Sequence, residues 1–401
     1  MTGTKGDVVR QAGERRSARI ESLRALAAVG VVVSHAYGWA HGFAGVIYGS
    51  YHGRLLLSGG FGVFLFFALS GYLLYLPFAR ATFSDGGRID VVRYGINRAL
   101  RILPLYYVVI AFYLAVSDHF MRSQWWRFAL FLESFSPRTV AKVDGPVWSL
   151  VVEVQFYILL PLFAWLIAVL SRRSMRGAAA LLVVLTFGAL AVRLATVTGQ
   201  QPTQVWRYSL PATCVFFFPG FLLALLRVHV DRREICWLRA KVIGSSDAWF
   251  AAGVAIWLIV AHNYRLDSLF LIGSALLLGS CVLPLRSGLV LRVMDWRIVA
   301  GLGVASYSLY LWHEPIVHRL SQEGWMPSGF IPLTVVSIVV CCAVAVVSYR
   351  VIEEPFLRWR RSWSRSRLAV GMPQDGGVDR VDAAGAVGDV EPARDRGPGR
   401  T

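Results

Sequence analysis

Ten apolar runs, each close to the length that a helix needs to cross a lipid bilayer, dominate this sequence. A helix requires about 20 predominantly apolar residues to span the hydrocarbon core. The runs cover residues 20–40, 56–79, 102–117, 147–170, 178–198, 211–226, 247–262, 268–285, 299–316 and 330–352. The sequence therefore predicts an all-α fold, a polytopic membrane helix bundle with about ten transmembrane helices.

The composition agrees with a membrane location and argues against a nucleic-acid partner. Hydrophobic residues make up 56% of the chain and charged residues only 16%, whereas a soluble domain is roughly 25% charged. The net charge of +17 does not indicate a nucleic-acid-binding face, because the basic residues lie in short segments between the apolar runs. Membrane proteins encode their orientation in this way.

The distribution of basic residues predicts the topology and the domain organisation. Alternate connecting segments hold 30 Lys and Arg residues against 8 in the other set, which puts both termini in the cytoplasm and favours an even number of spans. Residues 1–365 are expected to form the membrane domain. Residues 366–401 lack aromatic residues and are rich in Gly, Asp, Ala and Arg, so they are expected to be a disordered cytoplasmic tail. The five cysteines have no metal-type spacing, and no metal is expected.

Two ionisable side chains interrupt the first apolar run, "RALAAVGVVVSH". Arg24 and His35 are eleven residues apart, so a helix places them about 20° apart around its axis and about 16 Å apart along it. Ionisable groups inside a span are costly and usually face a bundle interior or a watery cavity. Either the two groups share a functional path, or Arg24 extends to the interface while His35 bonds to a neighbouring helix.

The fourth run carries a polar stripe, because Ser149, Glu153 and Tyr157 recur at every fourth residue. Glu153 is expected at a depth similar to that of His35. A carboxylate there would orient the imidazole and favour its protonated form. The alternative is a buried ion pair that only fixes helix packing.

Other polar residues near the ends of runs are weaker candidates. Arg98 and Arg101 are three apart at the expected cytoplasmic mouth, where guanidinium groups suit phosphates but also obey the positive-inside rule. Ser70 lies in a glycine-containing run and has no nucleophile-elbow motif around it. Tyr310 and His313 lie towards the outer end of the ninth run.

These segments together resemble the acyltransferase 3 family of bacterial integral-membrane O-acyltransferases. The resemblance covers approximately residues 18–358 and rests on six motifs in order: the Arg-x10-His helix, "FFALSGYLL", "RALRILPLYY", "VWSLVVEVQFYILLP", "SYSLYLWHEPI" and "SYRVIEEPF". It implies a multi-pass protein of the bacterial cytoplasmic membrane that transfers an acyl group from acyl-CoA, with acetyl-CoA expected, to a hydroxyl. The acceptors implied are glycans, glycolipids and macrolides.

The resemblance also implies roles for individual residues. His35 and Glu153 are the implied catalytic pair with Arg24, and Arg98 and Arg101 are the implied binding residues for the CoA phosphates. Supporting or substrate-binding roles are expected for the remaining candidates: Ser70, Trp148, Ser149, Tyr157, Tyr310 and His313. His35 is expected to act as general base on the acceptor hydroxyl. Direct attack is favoured over an acyl-enzyme because no activated Ser or Cys is apparent, although an acyl-His35 intermediate also fits.

Two other function classes remain compatible with the residue pattern. Ten spans with buried charges are also typical of a transporter or flippase for a glycolipid or acyl group, although neither an internal repeat nor paired Gly/Pro-broken helices occur in the sequence. A non-catalytic membrane sensor or scaffold is the third possibility. Loop 118–146, the longest outer segment, is expected to shape an acceptor site if the acceptor arrives from outside.

Overall fold

The computed structural model describes residues 5–41, 50–85, 87–140, 145–198, 203–232, 240–322 and 329–359, and these residues are almost entirely helical. All of them belong to the compact unit Met1–Arg360. The tail predicted at 366–401 lies outside the described residues. The helices are α1 Lys5–His41, α2 Tyr51–Leu57, α3 Gly62–Arg80, α4 Val91–Val116, α5 His119–Ser123, α6 Trp125–Ala129, α7 Val147–Leu170, α8 Met175–Thr198, α9 Gln204–Arg207, α10 Leu210–Thr213, α11 Phe218–Arg232, α12 Ser246–His262, α13 Phe270–Val282, α14 Leu289–Met294, α15 Arg297–Val304, α16 Ser306–Gln322 and α17 Phe330–Ser348.

Eight helical segments of the described chain are long and apolar enough to cross a membrane, which confirms the predicted fold class. They are Ala18–His41, Tyr51–Ser84, Val91–Val116, Val147–Leu170, Met175–Thr196, Leu210–Arg232, Tyr264–Val282 and Phe330–Trp359. The run at 247–262 forms the shorter apolar helix α12. The run at 299–316 is divided at Ala305 into α15 and α16. The predicted total of ten spans and the cytoplasmic termini stay predictions.

Helix α1 occupies the centre of the bundle and contacts α3, α13, α15, α16 and α17. The side of α1 that bears Leu23, Ala27 and Val31 is buried in the main apolar core. Lipid cannot drive apolar helices together as water does, so close packing and polar contacts between helices determine such an arrangement.

Glycines permit close helix crossings in the bundle. A Cβ atom added to Gly71 of α3 would overlap the carbonyl oxygen of Phe217, and one added to Gly220 of α11 would overlap the carbonyl oxygen of Ala68. The backbones of α3 and α11 therefore touch directly, and any side chain at either glycine would push the helices apart.

Helices α1 and α16 lie side by side and run in the same direction. Arg24 of α1 donates from Nε to the hydroxyl of Ser306 at the start of α16, at 3.1 Å. Further along both helices, His35 meets Glu314. Because the two contacts follow the same order on both helices, polar groups of α1 and α16 come together at two successive depths.

Candidate active site

A narrow cavity of about 90 Å³ lies between α1, α3, α4, α7 and α16. One wall is apolar and carries Phe66, Phe67 and Leu150. The polar residues that line the cavity are Arg24, Ser70, Arg98, Arg101, Ser149, Glu153, Tyr157, Ser306, Tyr307 and Tyr310. The structure thus brings together eight candidates from four separate apolar runs and from the segment that precedes the third run.

Glu153 is held within this cavity by two hydroxyl groups. Ser70 donates to Oε1 at 2.8 Å, and Tyr157, one turn further along α7, donates to Oε2 at 2.9 Å. The predicted stripe on α7 is confirmed in position, since Ser149, Glu153 and Tyr157 all line the cavity. Both carboxylate oxygens are therefore hydrogen-bonded within the membrane, as a buried carboxylate requires.

Three arginines line the same cavity, and their polar contacts differ. Arg24 bonds to Ser306 and lies 3.7 Å from the carboxylate of Glu21. Arg98 and Arg101 form no ion pair or hydrogen bond within the part of the chain that the structure describes, and Nε of Arg98 is buried without a partner. A guanidinium group inside a helix bundle is costly unless it is paired, so these two cavity-lining groups suit an anionic ligand.

The carboxylate beside His35 is Glu314, and the expected pairing of His35 with Glu153 is wrong. Nδ1 of His35 pairs with Oε2 of Glu314, while the indole N–H of Trp39 donates to Oε1 of Glu314 at 3.1 Å. Glu153 is hydrogen-bonded to Ser70 of α3 instead. No local sequence pattern singles out Glu314 or Trp39 as the partner of His35, because the pairing depends on α16 lying against α1.

His313 lies next to this pair in the bundle interior. Its ring is fully buried and lies nearly perpendicular to that of His35, with 4.9 Å between the ring centroids. Nδ1 of His313 donates to the carbonyl oxygen of Tyr310 at 2.5 Å. This hydrogen bond leaves Nε2 as the ring's acceptor atom, and Nε2 is buried with no partner among the described residues.

Tyr310 connects the cavity with His313. Its hydroxyl lines the cavity, bonds to Ser149 at 2.7 Å and donates to the carbonyl oxygen of Pro146 at 3.1 Å. Its carbonyl oxygen holds His313. Tyr310 thus touches both the polar lining of the cavity and the cluster of His35, His313 and Glu314, through His313.

Trp148, like His35 and His313, is a candidate that lies outside the cavity lining. Its indole stacks on Tyr208 with 4.6 Å between ring centroids and meets the edge of Phe67 at 6.1 Å. Phe67 itself lines the cavity. Trp148 therefore supports the cavity wall through Phe67.

The family model for the acyltransferase domain of the acyltransferase 3 family matches residues 17–350, so the chain belongs to that family. The relatives include "Putative peptidoglycan O-acetyltransferase YrhL" of Bacillus subtilis (strain 168), which is 26% identical over 377 residues and 86% of this chain. O-acetyltransferase OatA of Staphylococcus aureus (strain NCTC 8325 / PS 47) is 26% identical over 368 residues and 84% of this chain. The chain spans 56% of the length of each of these two relatives. No solved structure matches the chain.

Proposed function

We propose that this chain is a membrane O-acyltransferase that transfers an acyl group, with acetyl expected, from acyl-CoA to a hydroxyl of a cell-surface glycan. The observation that carries the proposal is the His35–Glu314 pair, which His313 and Tyr310 connect to a cavity with two arginines that form no ion pair among the described residues. Acyl transfer from a donor that carries phosphates requires these two elements, a general base and a cavity that binds anions.

His35 is the proposed general base. When Nδ1–H donates to Glu314, Nε2 keeps a lone pair that accepts the proton of an acceptor hydroxyl. Glu314 fixes this tautomer and stabilises the imidazolium that forms, as the carboxylate of a catalytic triad does. Trp39 in turn fixes Glu314.

Arg98 and Arg101 are the proposed ligands for the donor's phosphates. Their planar guanidinium groups match phosphate oxygens bidentately, and neither has an ionic partner in the described part of the chain. Arg24 adds a third positive charge at the same cavity. Glu153 is proposed to balance these charges when no donor is bound, in place of the role beside His35 that the sequence analysis gave it.

The donor's pantetheine arm is proposed to lead from the arginines towards His35. The separation of about 16 Å between the axial positions of Arg24 and His35 suits that arm. Because the cavity encloses only about 90 Å³, side chains at Ser149 and Tyr310 must move apart when the donor enters.

The chemical step is a direct acyl transfer. The acceptor oxygen attacks the thioester carbonyl and forms a C–O bond while His35 takes its proton. The C–S bond then breaks, and the CoA thiolate receives that proton to leave as a thiol. No covalent enzyme intermediate is required.

A glycan is the favoured acceptor because the name of the Bacillus relative describes a peptidoglycan O-acetyltransferase. A glycolipid or a macrolide, which the resemblance also implies, presents the same hydroxyl chemistry to His35. The acceptor's identity therefore needs a product measurement.

The test uses the full chain purified in lipid nanodiscs. Acetyl-CoA labelled in its acetyl group is supplied with peptidoglycan fragments, and both free CoA thiol and labelled glycan are measured. We expect thiol release and glycan labelling from the wild-type protein and neither from His35→Ala, with His262→Ala as the control. Full activity in His35→Ala would overturn the role of His35. Labelling from acetyl phosphate but not from acetyl-CoA would overturn the role of CoA.

Glycolipid and macrolide acceptors are supplied in parallel reactions. The absence of any covalent product, together with movement of an unmodified glycolipid or acyl compound across the bilayer, would contradict catalysis. That result would favour a transporter.

A further inference from the structure

Three side chains with metal-binding atoms converge between α1 and α16. His35, His313 and Glu314 each offer one ligand atom, and these atoms all lie within 4.8 Å of one another. No metal-type spacing in the sequence reveals this group, because 279 positions separate His35 from Glu314. Only the parallel alignment of the two helices brings the set together.

His313 has the environment of a metal ligand. A metal-binding histidine almost always donates its second ring N–H to a carbonyl or carboxylate, which fixes the ring and directs the other nitrogen at the metal. Nδ1 of His313 bonds in this way to the carbonyl oxygen of Tyr310. Nε2 is buried and has no partner among the described residues. This unsatisfied acceptor is the independent indication of a ligand.

Glu314 is held in a similar way by a hydrogen bond from outside the set. Metal-binding carboxylates are themselves held by hydrogen bonds. The indole N–H of Trp39 donates to Oε1 of Glu314, which leaves Oε2 on the side of His35. Two of the three ligands are thus already oriented by groups outside the set.

We propose that His35, His313 and Glu314 form an inhibitory site for a divalent transition-metal ion, with Zn²⁺ as the expected ion. Two imidazoles and one carboxylate are a ligand set that suits Zn²⁺, whereas Mg²⁺ prefers oxygen ligands alone. Three protein ligands leave a fourth, open position for water.

Small ring rotations bring the ligands to bonding distance. Zinc bonds to nitrogen at about 2.0–2.1 Å, so tetrahedral ligand atoms lie about 3.4 Å apart. The widest separation in the cluster is at most 4.8 Å, and a metal replaces the proton between His35 and Glu314. Binding therefore releases a proton and tightens as the pH rises.

The inhibitory effect rests on the proposed function, whereas the binding does not. Zinc coordinated by His35 and Glu314 removes the imidazole from proton transfer. Occupation of the site therefore stops acyl transfer without blocking the cavity at Arg98 and Arg101.

The binding test uses the full chain with its affinity tag removed, since a polyhistidine tag binds the same metals. Zn²⁺ is added to the protein in detergent, and stoichiometry is measured by isothermal titration calorimetry. X-ray absorption at the zinc edge then reports the ligands. We expect one equivalent of Zn²⁺ with nitrogen and oxygen at about 2.0–2.2 Å and no sulfur at about 2.3 Å, which excludes the cysteines.

Variants locate the binding. His313→Phe keeps the ring volume in the buried position, and Glu314→Gln keeps the shape while it removes the charge. Both should lose the stoichiometric zinc, whereas His119→Ala, which changes an exposed histidine of α5, should keep it. If His313→Phe does not yield a monodisperse protein, the loss or retention of zinc in Glu314→Gln and His35→Ala tests the site. Zinc binding that survives these changes, or no stoichiometric binding in the wild type, overturns the site.

Activity then separates inhibition from a catalytic metal. We expect Zn²⁺ to suppress transfer in the wild type, a chelator to restore it and Mg²⁺ at the same concentration to have no effect. Loss of transfer on chelation would overturn the inhibitory role. Stoichiometric zinc with undiminished transfer would overturn both that role and the use of His35 as base, while the calorimetric result would still support the site. No transfer with or without metal would contradict the proposed function alone.

Discussion

His35 of α1 pairs through Nδ1 with Glu314 of α16, and the indole of Trp39 fixes the same carboxylate from its other oxygen. This contact joins two helices that run in parallel through the bundle. It also settles which of two buried glutamates lies beside the histidine. Glu314 lies there, and Glu153 lies with Ser70 and Tyr157.

The first prediction concerns the role of Glu314 beside His35. We expect Glu314→Gln to lower kcat by about 10²–10⁴-fold with little change in KM for the donor, because the base loses the group that fixes its tautomer and stabilises its charge. Steady-state kinetics of thiol release measure this. Glu354→Gln, which removes an acid that pairs with the exposed Arg358, is the control. An unchanged kcat in Glu314→Gln would remove Glu314 from the mechanism.

The sequence predicts much of this site because several of its signals are local. The stripe of Ser149, Glu153 and Tyr157 follows from one helical period, and all three residues line the cavity. Arg98 and Arg101 are likewise recognised by their position at the start of a span, and both line it as well. Local periodicity reports which face of a helix is polar.

The partner of His35 is not predicted because it depends on helix arrangement. Glu153 is expected at a depth similar to that of His35, which suggests that the two pair. Depth alone, however, does not show which helix lies beside α1. The first apolar run and the "SYSLYLWHEPI" segment come together only when α16 packs along α1. The division of a predicted span at Ala305 has a similar cause, since short helices α15 and α16 pack separately on α1.

The second prediction concerns the donor phosphates. We expect Arg98→Ala to raise KM for acetyl-CoA by about 10–100-fold, because a hydrogen bond to a charged group contributes about 1.5–3 kcal/mol. KM for a short acetyl thioester without phosphates should not change, which separates phosphate binding from a general disturbance of the cavity. Arg176→Ala, an exposed change at the start of α8, is the control. Equal effects on both donors would contradict the phosphate role.

The third prediction tests the helix crossing that supports the cavity. We expect Gly220→Ala to destabilise the protein by about 1–3 kcal/mol or more, because the added methyl overlaps the carbonyl oxygen of Ala68 on α3. Gly188→Ala in α8 is the matched control, since nothing lies within 4 Å of its added Cβ. Thermal unfolding in detergent measures both variants. Equal melting temperatures would show that α3 and α11 can separate without cost.

The fourth prediction concerns Glu133, which lies in the segment between α6 and α7 outside the membrane-spanning helices. Its side chain is only 2% exposed, and neither carboxylate oxygen has a partner among the described residues. Burial disfavours the charged form and raises the pKa of Glu133 to about 8 from an ordinary value of 4.5. The folded state therefore binds more protons than the unfolded state between these two pH values.

Stability should accordingly fall as the pH rises from about 4.5 to about 8, with a slope that approaches 1.4 kcal/mol per pH unit for one proton. Glu133→Gln removes the titrating group, so the variant should be more stable than the wild type at neutral pH and lack this part of the slope. Asp118→Asn is the control, because it removes an exposed charge from the same connection while asparagine retains the N-cap of α5. Melting temperatures measured across this pH range check the difference, and parallel curves for the wild type and Glu133→Gln would show that Glu133 is already charged in the fold.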